Sequence, residues 1–205
     1  MKDANIPHVP VAIVGGGQAG LSVACQLQKK GIESVVFERH ENFHSWRVNR
    51  WDSFCLVTPN WQCRLPGFHY DKEFGGTDPD GFMLREDITA YLDAFAATFE
   101  PNLYEHVTVT RIAHHPQGGY LVETTIGTWT SDQVVIATGG YDKPIEPAYA
   151  EALDPTIVQM HSVDYRNPAQ LPEGDVLIVG TGQSGVQIME DFVRAERGVR
   201  LAVGP

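Results

Sequence analysis

The sequence predicts an α/β fold in which two units with parallel strands follow one another along the chain. Residues 11–20 (VAIVGGGQAG) and residues 176–185 (VLIVGTGQSG) carry this prediction. Each runs from an aliphatic strand pattern through G-x-G-x-x-G into a helix pattern, which is the context in which that motif binds a dinucleotide. We therefore expect two Rossmann-like dinucleotide-binding domains of a three-layer ββα/αβ type, each carrying one copy of the motif.

The composition narrows the classes of partner. A net charge of −11 disfavours nucleic acid and anionic membranes, because both select for Lys and Arg. The sequence has no apolar run that approaches the length of a membrane-spanning helix. Cys25, Cys55 and Cys63 form no C-x-x-C pair, so we expect neither a disulfide scaffold nor a zinc ribbon. This cysteine usage and the polar, proline-broken start of the chain indicate a cytoplasmic protein.

The first unit is predicted as a strand, a helix and a second strand. The strand covers residues 9–14, the helix residues 18–30 and the second strand residues 33–38, with Gly31 ending the helix. The residues expected on the buried face of the helix are Ala19, Val23, Ala24 and Leu27.

The middle of the chain shows mixed patterns. Residues 40–84 hold three of the four tryptophans and little periodicity, which indicates a long ordered excursion. A helix is predicted over residues 85–99 from the spacing of its apolar side chains. The strands predicted after it cover residues 107–112, 120–125, 128–131 and 134–140.

The first glycine motif has the features of a diphosphate site. Gly15 permits the tight turn after the strand, Gly17 lets the backbone approach a pyrophosphate, and Gly20 lets helix and strand pack closely. The diphosphate would lie on the positive end of the helix that begins near Gln18. Glu38 ends the next strand, where a carboxylate accepts hydrogen bonds from a ribose.

The second glycine motif lacks the corresponding acid. Counting from the first motif places Val203 at the position of Glu38, and counting from the glycines that end the two helices places Pro205 there. Neither residue is acidic, and neither is Gly204 between them. A missing ribose-binding carboxylate favours NADPH over NADH, with NADH as the alternative. The second helix is expected to bury Val186, Met189 and Val193.

The order of these pieces resembles the two-dinucleotide-binding flavoproteins. Residues 45–59 (SWRVNRWDSFCLVTP), 65–67 (LPG) and 161–168 (HSVDYRNP) are similar to segments of the flavin-containing monooxygenases and their YUCCA-like and Baeyer–Villiger relatives. The resemblance implies FAD in the first site and NADPH in the second. It also implies hydride transfer to the flavin, formation of a C4a-(hydro)peroxide with O2, and transfer of one oxygen atom to a small-molecule substrate.

The resemblance implies binding residues more than catalytic ones. His161 is the one tentative catalytic candidate, and no cluster of residues predicts a metal site. The cofactor-binding candidates are Gly15, Gly17, Gln18, Ala19, Gly20, Glu38, Trp46, Thr58, Val109, Thr138, Gly139, Gly180, Gly182, Gln183, Ser184 and Gly185.

Domain boundaries follow from the same resemblance. We expect the N-terminal part of an FAD-binding domain over residues 1–150, a linker over 151–174 and an incomplete NAD(P)H-binding domain over 175–205. The chain departs from the family at Pro155 and Ile157, where relatives carry Phe and Gly. It is also shorter than its relatives, so we expect a fragment.

Three other functions stay open on the sequence. A thioredoxin- or glutathione-reductase-like enzyme would use the same framework with a redox-active cysteine pair. A flavoprotein oxidase or dehydrogenase would work without a stable peroxyflavin. A truncated flavin-binding remnant would have no catalysis at all.

Overall fold

The structure is a computed structural model that describes residues 6–141 and 143–203. The strands are β1 His8–Val14, β2 Ser34–Phe37, β3 Arg64–Leu65, β4 Phe68–His69, β5 Leu103–Tyr104, β6 Val109–His114, β7 Tyr120–Thr124, β8 Gly127–Ile136, β9 Val176–Val179 and β10 Val199–Ala202. The α-helices are α1 Gln18–Lys29, α2 His44–Arg47, α3 Arg85–Ala97 and α4 Gln183–Arg194.

The main sheet joins a parallel part to an antiparallel part. Its strand order is β5-β2-β1-β8-β7-β6. Strands β5, β2, β1 and β8 run parallel, whereas β7 is antiparallel to both of its neighbours. A second sheet consists of the parallel pair β9 and β10, linked through α4. The predicted α/β class, with a strand–helix–strand unit at each glycine motif, is confirmed.

Strand β8 is one continuous element, whereas the sequence predicted two short strands in this region. It pairs with β7 along its first half and with β1 from Thr130 onward. Pro10 of β1 lies between Val9 and Val11, which pair with Ser131 and Gln133 of β8. As a proline, it has no N–H to donate to the hydrogen-bond ladder. The buried hydroxyl of Ser131 accepts the N–H of Ala12 at 3.0 Å and lies 2.6 Å from the carbonyl of Gln133. Ser131 therefore keeps the sheet continuous beside a central proline.

The buried face of α3 matches the one predicted from the sequence, and that of α1 matches it in part. Helix α3 buries Ile88, Tyr91, Leu92, Phe95 and Ala96, as its spacing predicted. Helix α1 buries Gly20, Leu21, Ala24 and Cys25. Of the face expected from the sequence, Ala24 is buried and Val23 and Leu27 pack partly buried against the core, whereas Ala19 is exposed.

Helix α4 contradicts its predicted face. It buries Ile188, Asp191 and Phe192, whereas Val186 and Val193 are exposed. The reason is tertiary: this side of α4 packs into the same core cluster as Trp51 and Phe54 of the excursion.

The two irregular stretches are ordered by side-chain contacts. In the excursion of residues 40–84, Phe43, Trp51 and Phe54 reach the main core. The connector before β9 is held by Arg197, which lies between α4 and β10. Its guanidinium donates to the carbonyls of four residues of the connector. These are Pro168, Leu171, Pro172 and Gly174, at 2.5–3.2 Å.

Candidate functional site

The first glycine motif forms a tight turn between β1 and α1. Gly15 has a φ of +112°, and a Cβ there would lie 2.4 Å from the carbonyl oxygen of Ala137. A Cβ at Gly20 would lie 1.9 Å from the carbonyl oxygen of Gly15. Gly17 is the residue before α1, and a Cβ there would meet no atom within 4 Å. The turn is therefore closed on its protein side and open at Gly17, which is the shape that a diphosphate requires.

Glu38 is held beside this turn by two backbone amides. Its Oε2 accepts the N–H of Gly16 at 2.7 Å, and its Oε1 accepts the N–H of His40 at 2.9 Å. Each carboxylate oxygen has a further lone pair, so the group can still accept hydrogen bonds from a ribose. The motif and the acid thus lie together, as the sequence predicted.

The sequence prediction missed Gly16, which connects the motif to the acid. A Cβ at Gly16 would lie 2.9 Å from the Cβ of Glu38, so a side chain would push the carboxylate away. The run of three glycines was the available signal, because the fingerprint itself requires only the first and third of them.

Thr138 follows the interior strand β8, and Val109 lies on the outer strand β6. The amide nitrogen of Thr138 would be 3.2 Å from a Cβ at Gly15, and Gly139 follows with a φ of +78°. Val109 begins β6, two residues after Val107, whose N–H donates to the carbonyl of Glu38 at 2.8 Å. These candidates are brought to the region of the turn, and their contacts with a cofactor stay predictions.

The excursion places Trp46 in an aromatic cluster. The guanidinium of Arg50 stacks over the rings of Trp46 and Phe54, at 4.9 and 5.3 Å from their centroids. Thr58 is half-buried, just before the short helix Asn60–Gln62. The indole N–H of Trp51 and the Oδ1 of Asn60 are buried without a hydrogen-bond partner. The sequence carries no signal for these two unpaired atoms.

The second glycine motif repeats the geometry of the first. Gly180 has a φ of +109°, and a Cβ at Gly185 would lie 2.1 Å from the carbonyl oxygen of Gly180. A Cβ at Gly182 would meet no atom within 4 Å. Gln183 and Ser184 form the first turn of α4, whose N-terminus is therefore available to an anion as at the first motif.

The strand register fixes the residue that corresponds to Glu38. Val14 pairs with Phe37 in the first unit, and Val179 pairs with Ala202 in the second. The N–H of Gly180 donates to the carbonyl of Ala202 at 3.1 Å, matching the first-unit bond from Gly15 to Phe37 at 2.8 Å. The residue after Ala202 is Val203, so an exposed valine stands where the first unit has its acid. The alternative position, Pro205, lies outside the described residues, as does Gly204.

His161 makes contacts within its own turn. Its Nδ1 accepts the N–H of Val163 at 3.2 Å, and its carbonyl accepts the N–H of Asp164 at 2.9 Å. These bonds give the side chain a structural role in the linker. Its catalytic role stays a prediction.

The three cysteines are free thiols. Burial raises the pKa of Cys55 and of Cys63 above the ordinary value, so less of each is thiolate at neutral pH. Within the described part of the chain, no helix is both long and apolar enough to cross a membrane. The same residues contain no group of three or more His, Cys, Asp or Glu that could hold a metal ion.

Comparisons with known proteins agree with this geometry. The family model of the pyridine nucleotide-disulphide oxidoreductases matches residues 12–204. The CzcO-like oxidoreductase of Geobacillus kaustophilus is 35% identical over 96% of this chain and 54% of its own length. The Baeyer-Villiger monooxygenase of Streptomyces coelicolor is 34% identical over 89% of this chain and 35% of its own.

A solved structure gives the same result. The flavin-containing monooxygenase of Stenotrophomonas maltophilia superposes with a TM-score of 0.85 at 26% identity, over 98% of this chain and 59% of that one. The chain thus spans between about a third and three fifths of the relatives it matches. It belongs to the pyridine nucleotide-disulphide oxidoreductase family, with flavin monooxygenases among its relatives.

Proposed function

We propose that this chain forms the FAD- and NADPH-binding part of a flavin-dependent monooxygenase. The observation that carries the proposal is the pair of open glycine turns, one with a carboxylate beside it and one without. That asymmetry suits two different dinucleotides, and a protein that holds both is built for electron transfer between them. The similarity to monooxygenases across nearly the whole chain supports the reaction class.

FAD fits the first site and NADPH the second. At the first turn, the amides that start α1 would face the FAD diphosphate, and Glu38 would accept from its ribose hydroxyls. At the second turn, Gly182 and the first turn of α4 would hold the NADPH diphosphate. Val203 adds no negative charge where a 2′-phosphate would lie, which favours NADPH, with NADH as the alternative.

The protein's part in the mechanism is to bind, orient and exclude water. Bound FAD would supply the redox chemistry: NADPH, a proton, O2 and a small organic substrate would give NADP⁺, water and the oxygenated product. The rigid turn at Gly15, closed against Ala137, would fix the flavin relative to the sheet. The cluster of Trp46, Arg50 and Phe54 would close off water in the excursion.

Two alternatives are less well supported. A disulfide reductase needs a pair of reactive thiols, whereas burial raises the pKa of both Cys55 and Cys63. An oxidase would use the same two sites and release H2O2.

A cytoplasmic location stays a prediction from the cysteine usage.

The test is reduction of bound flavin by NADPH. The purified chain would be loaded with FAD, desalted and titrated with NADPH without oxygen, with NADH as the comparison. We expect loss of the visible flavin absorbance, at lower concentrations of NADPH than of NADH. Air would then be admitted with and without candidate ketone, sulfide or amine substrates. Oxygen transfer to a substrate would support the monooxygenase, H2O2 alone the oxidase, two new thiols the reductase, and a colourless protein the remnant.

A further inference from the structure

Helix α4 is attached to the first unit by polar contacts as well as by apolar packing. The Nε2 of Gln187 donates to the carbonyl of Cys55 at 2.8 Å, and the N–H of Cys55 donates back to Oε1 of the same side chain at 3.4 Å. One turn further along α4, the hydroxyl of Ser53 donates to Oδ1 of Asp191 at 2.5 Å. Residues 52–55 of the excursion, which we call the docking strip, therefore meet two successive turns of α4.

Asp191 is the unusual member of this contact. It is 8% exposed and is the buried acidic side chain of the described core. Tyr165, which is 3% exposed, donates its hydroxyl to Oδ2 of Asp191 at 3.1 Å. Each carboxylate oxygen thus receives a hydrogen bond from a different segment of the chain. Burial and the adjacent carboxylate raise the pKa of Tyr165, so it remains a hydrogen-bond donor.

The linker is tied to the same strip. The N–H of Asp52 donates to the carbonyl of Arg166 at 2.8 Å, and the amide of Asn167 donates to Oδ2 of Asp52 at 2.7 Å. Three separate segments meet at this point: the docking strip, the linker and α4.

Apolar packing alone would fix α4 less strictly. Ile188 and Phe192 bury the same side of the helix, but apolar contacts are not directional and allow a helix to rotate or slide. Directional bonds at Gln187 and Asp191, four residues apart, specify both the rotation and the axial position of α4. A buried charge contributes little net stability compared with apolar packing of similar volume, so the main effect expected of Asp191 is to fix direction rather than to add stability.

We propose that Asp191 is the positioning residue that sets the second dinucleotide site against the first. It acts through its hydrogen bonds with Ser53 and Tyr165. Because α4 begins at the second glycine motif, its orientation determines where the NADPH diphosphate lies relative to the flavin. The inference about α4 rests on the structure alone, and its consequence for hydride transfer rests on the proposed function.

The first experiment measures amide hydrogen exchange in the unliganded chain. In Tyr165→Phe and Ser53→Ala, we expect the amides of α4 to exchange about tenfold faster or more, with those of α1 unchanged. Asp191→Ala should accelerate exchange in α4 more than either of these two variants. Asp191→Asn should accelerate it less than Asp191→Ala, because its side-chain amide can still form hydrogen bonds with both hydroxyls. Tyr91→Phe is the matched control, because that buried hydroxyl binds carbonyls of Cys63 and Phe68 within the first unit. Unchanged exchange in α4, or equal acceleration in α1, would overturn the proposal.

The second experiment separates position from affinity. With FAD bound and oxygen absent, we expect Tyr165→Phe to slow flavin reduction at saturating NADPH by about tenfold, with the NADPH dissociation constant within about twofold of wild type. A loss confined to NADPH affinity would contradict the positioning role. A wild-type protein that NADPH does not reduce would refute the proposed function, while the exchange data would still decide whether Asp191 orients α4.

Discussion

Two glycines at the start of α1 separate the needs of the fold from those of the ligand. A Cβ at Gly20 would lie 1.9 Å from the backbone oxygen of Gly15. Since unstrained contacts are longer, α1 would have to move away from β1 by roughly 1.5 Å. Gly20→Ala should therefore cost about 1–3 kcal/mol of unfolding free energy, as overpacking does. For a chain of this size, that corresponds to a fall in Tm of about 2–12 °C.

Gly17→Ala should behave in the opposite way. Its φ of −78° and ψ of −176° suit alanine, and a Cβ there would meet no protein atom within 4 Å. Loss of glycine at a helix N-cap costs at most about 1 kcal/mol, so Tm should change little. The new methyl group would occupy the space into which the diphosphate fits. Losing one hydrogen bond to a charged group would lower FAD affinity by about tenfold or more.

The assay pairs thermal unfolding of the unliganded variants with FAD titration by quenching of flavin fluorescence. Gly182→Ala, the equally open position of the second unit, serves as the control and should leave FAD affinity unchanged. The reasoning fails if Gly17→Ala lowers Tm as much as Gly20→Ala does. It also fails if Gly17→Ala binds FAD as tightly as wild type.

Three further predictions follow from contacts described above. Glu38→Gln leaves a single side-chain oxygen to accept the two backbone N–H groups, so the free energy of unfolding measured by urea titration should fall by about 1–3 kcal/mol. A change below experimental error would contradict the bond to Gly16. Arg197→Lys should lower the free energy of unfolding almost as much as Arg197→Ala in the same titration, because a compact ammonium cannot reach four carbonyls. Wild-type stability in Arg197→Lys would refute this reasoning. Because the pKa of Cys55 and of Cys63 is raised, both thiols should be alkylated more slowly than a free thiol at pH 7 and faster only in more alkaline solution. NADPH-dependent flavin reduction should survive replacement of both residues by Ser, and its loss would favour the reductase.

The glycine turns could be predicted from sequence because their requirements are local. A positive φ at Gly15 and close backbone approaches at Gly20 and Gly185 leave no other residue type suitable. The position of Glu38 at the end of β2 follows from the same short unit. By contrast, the choice between Val203 and Pro205 needed the strand register, which depends on pairing between segments far apart in sequence.

The buried face of α4 could not be predicted because the helix has two apolar stripes. Val186, Met189 and Val193 form one stripe, and Ile188 and Phe192 form the other. Periodicity supports both, and only the docking strip decides between them. The bonds from Ser53 to Asp191 and from Asn167 to Asp52 have no sequence signature, since each joins residues more than a hundred positions apart.

The continuity of β8 has a consequence for how the molecule loses its structure. One strand serves both the antiparallel hairpin and the parallel sheet that carries the first glycine turn. Separation of the hairpin would expose Ser131, whose side chain also completes the ladder beside Pro10. Both parts of the sheet should therefore melt in one cooperative step, so a probe in the hairpin and another near Gly15 would report the same transition.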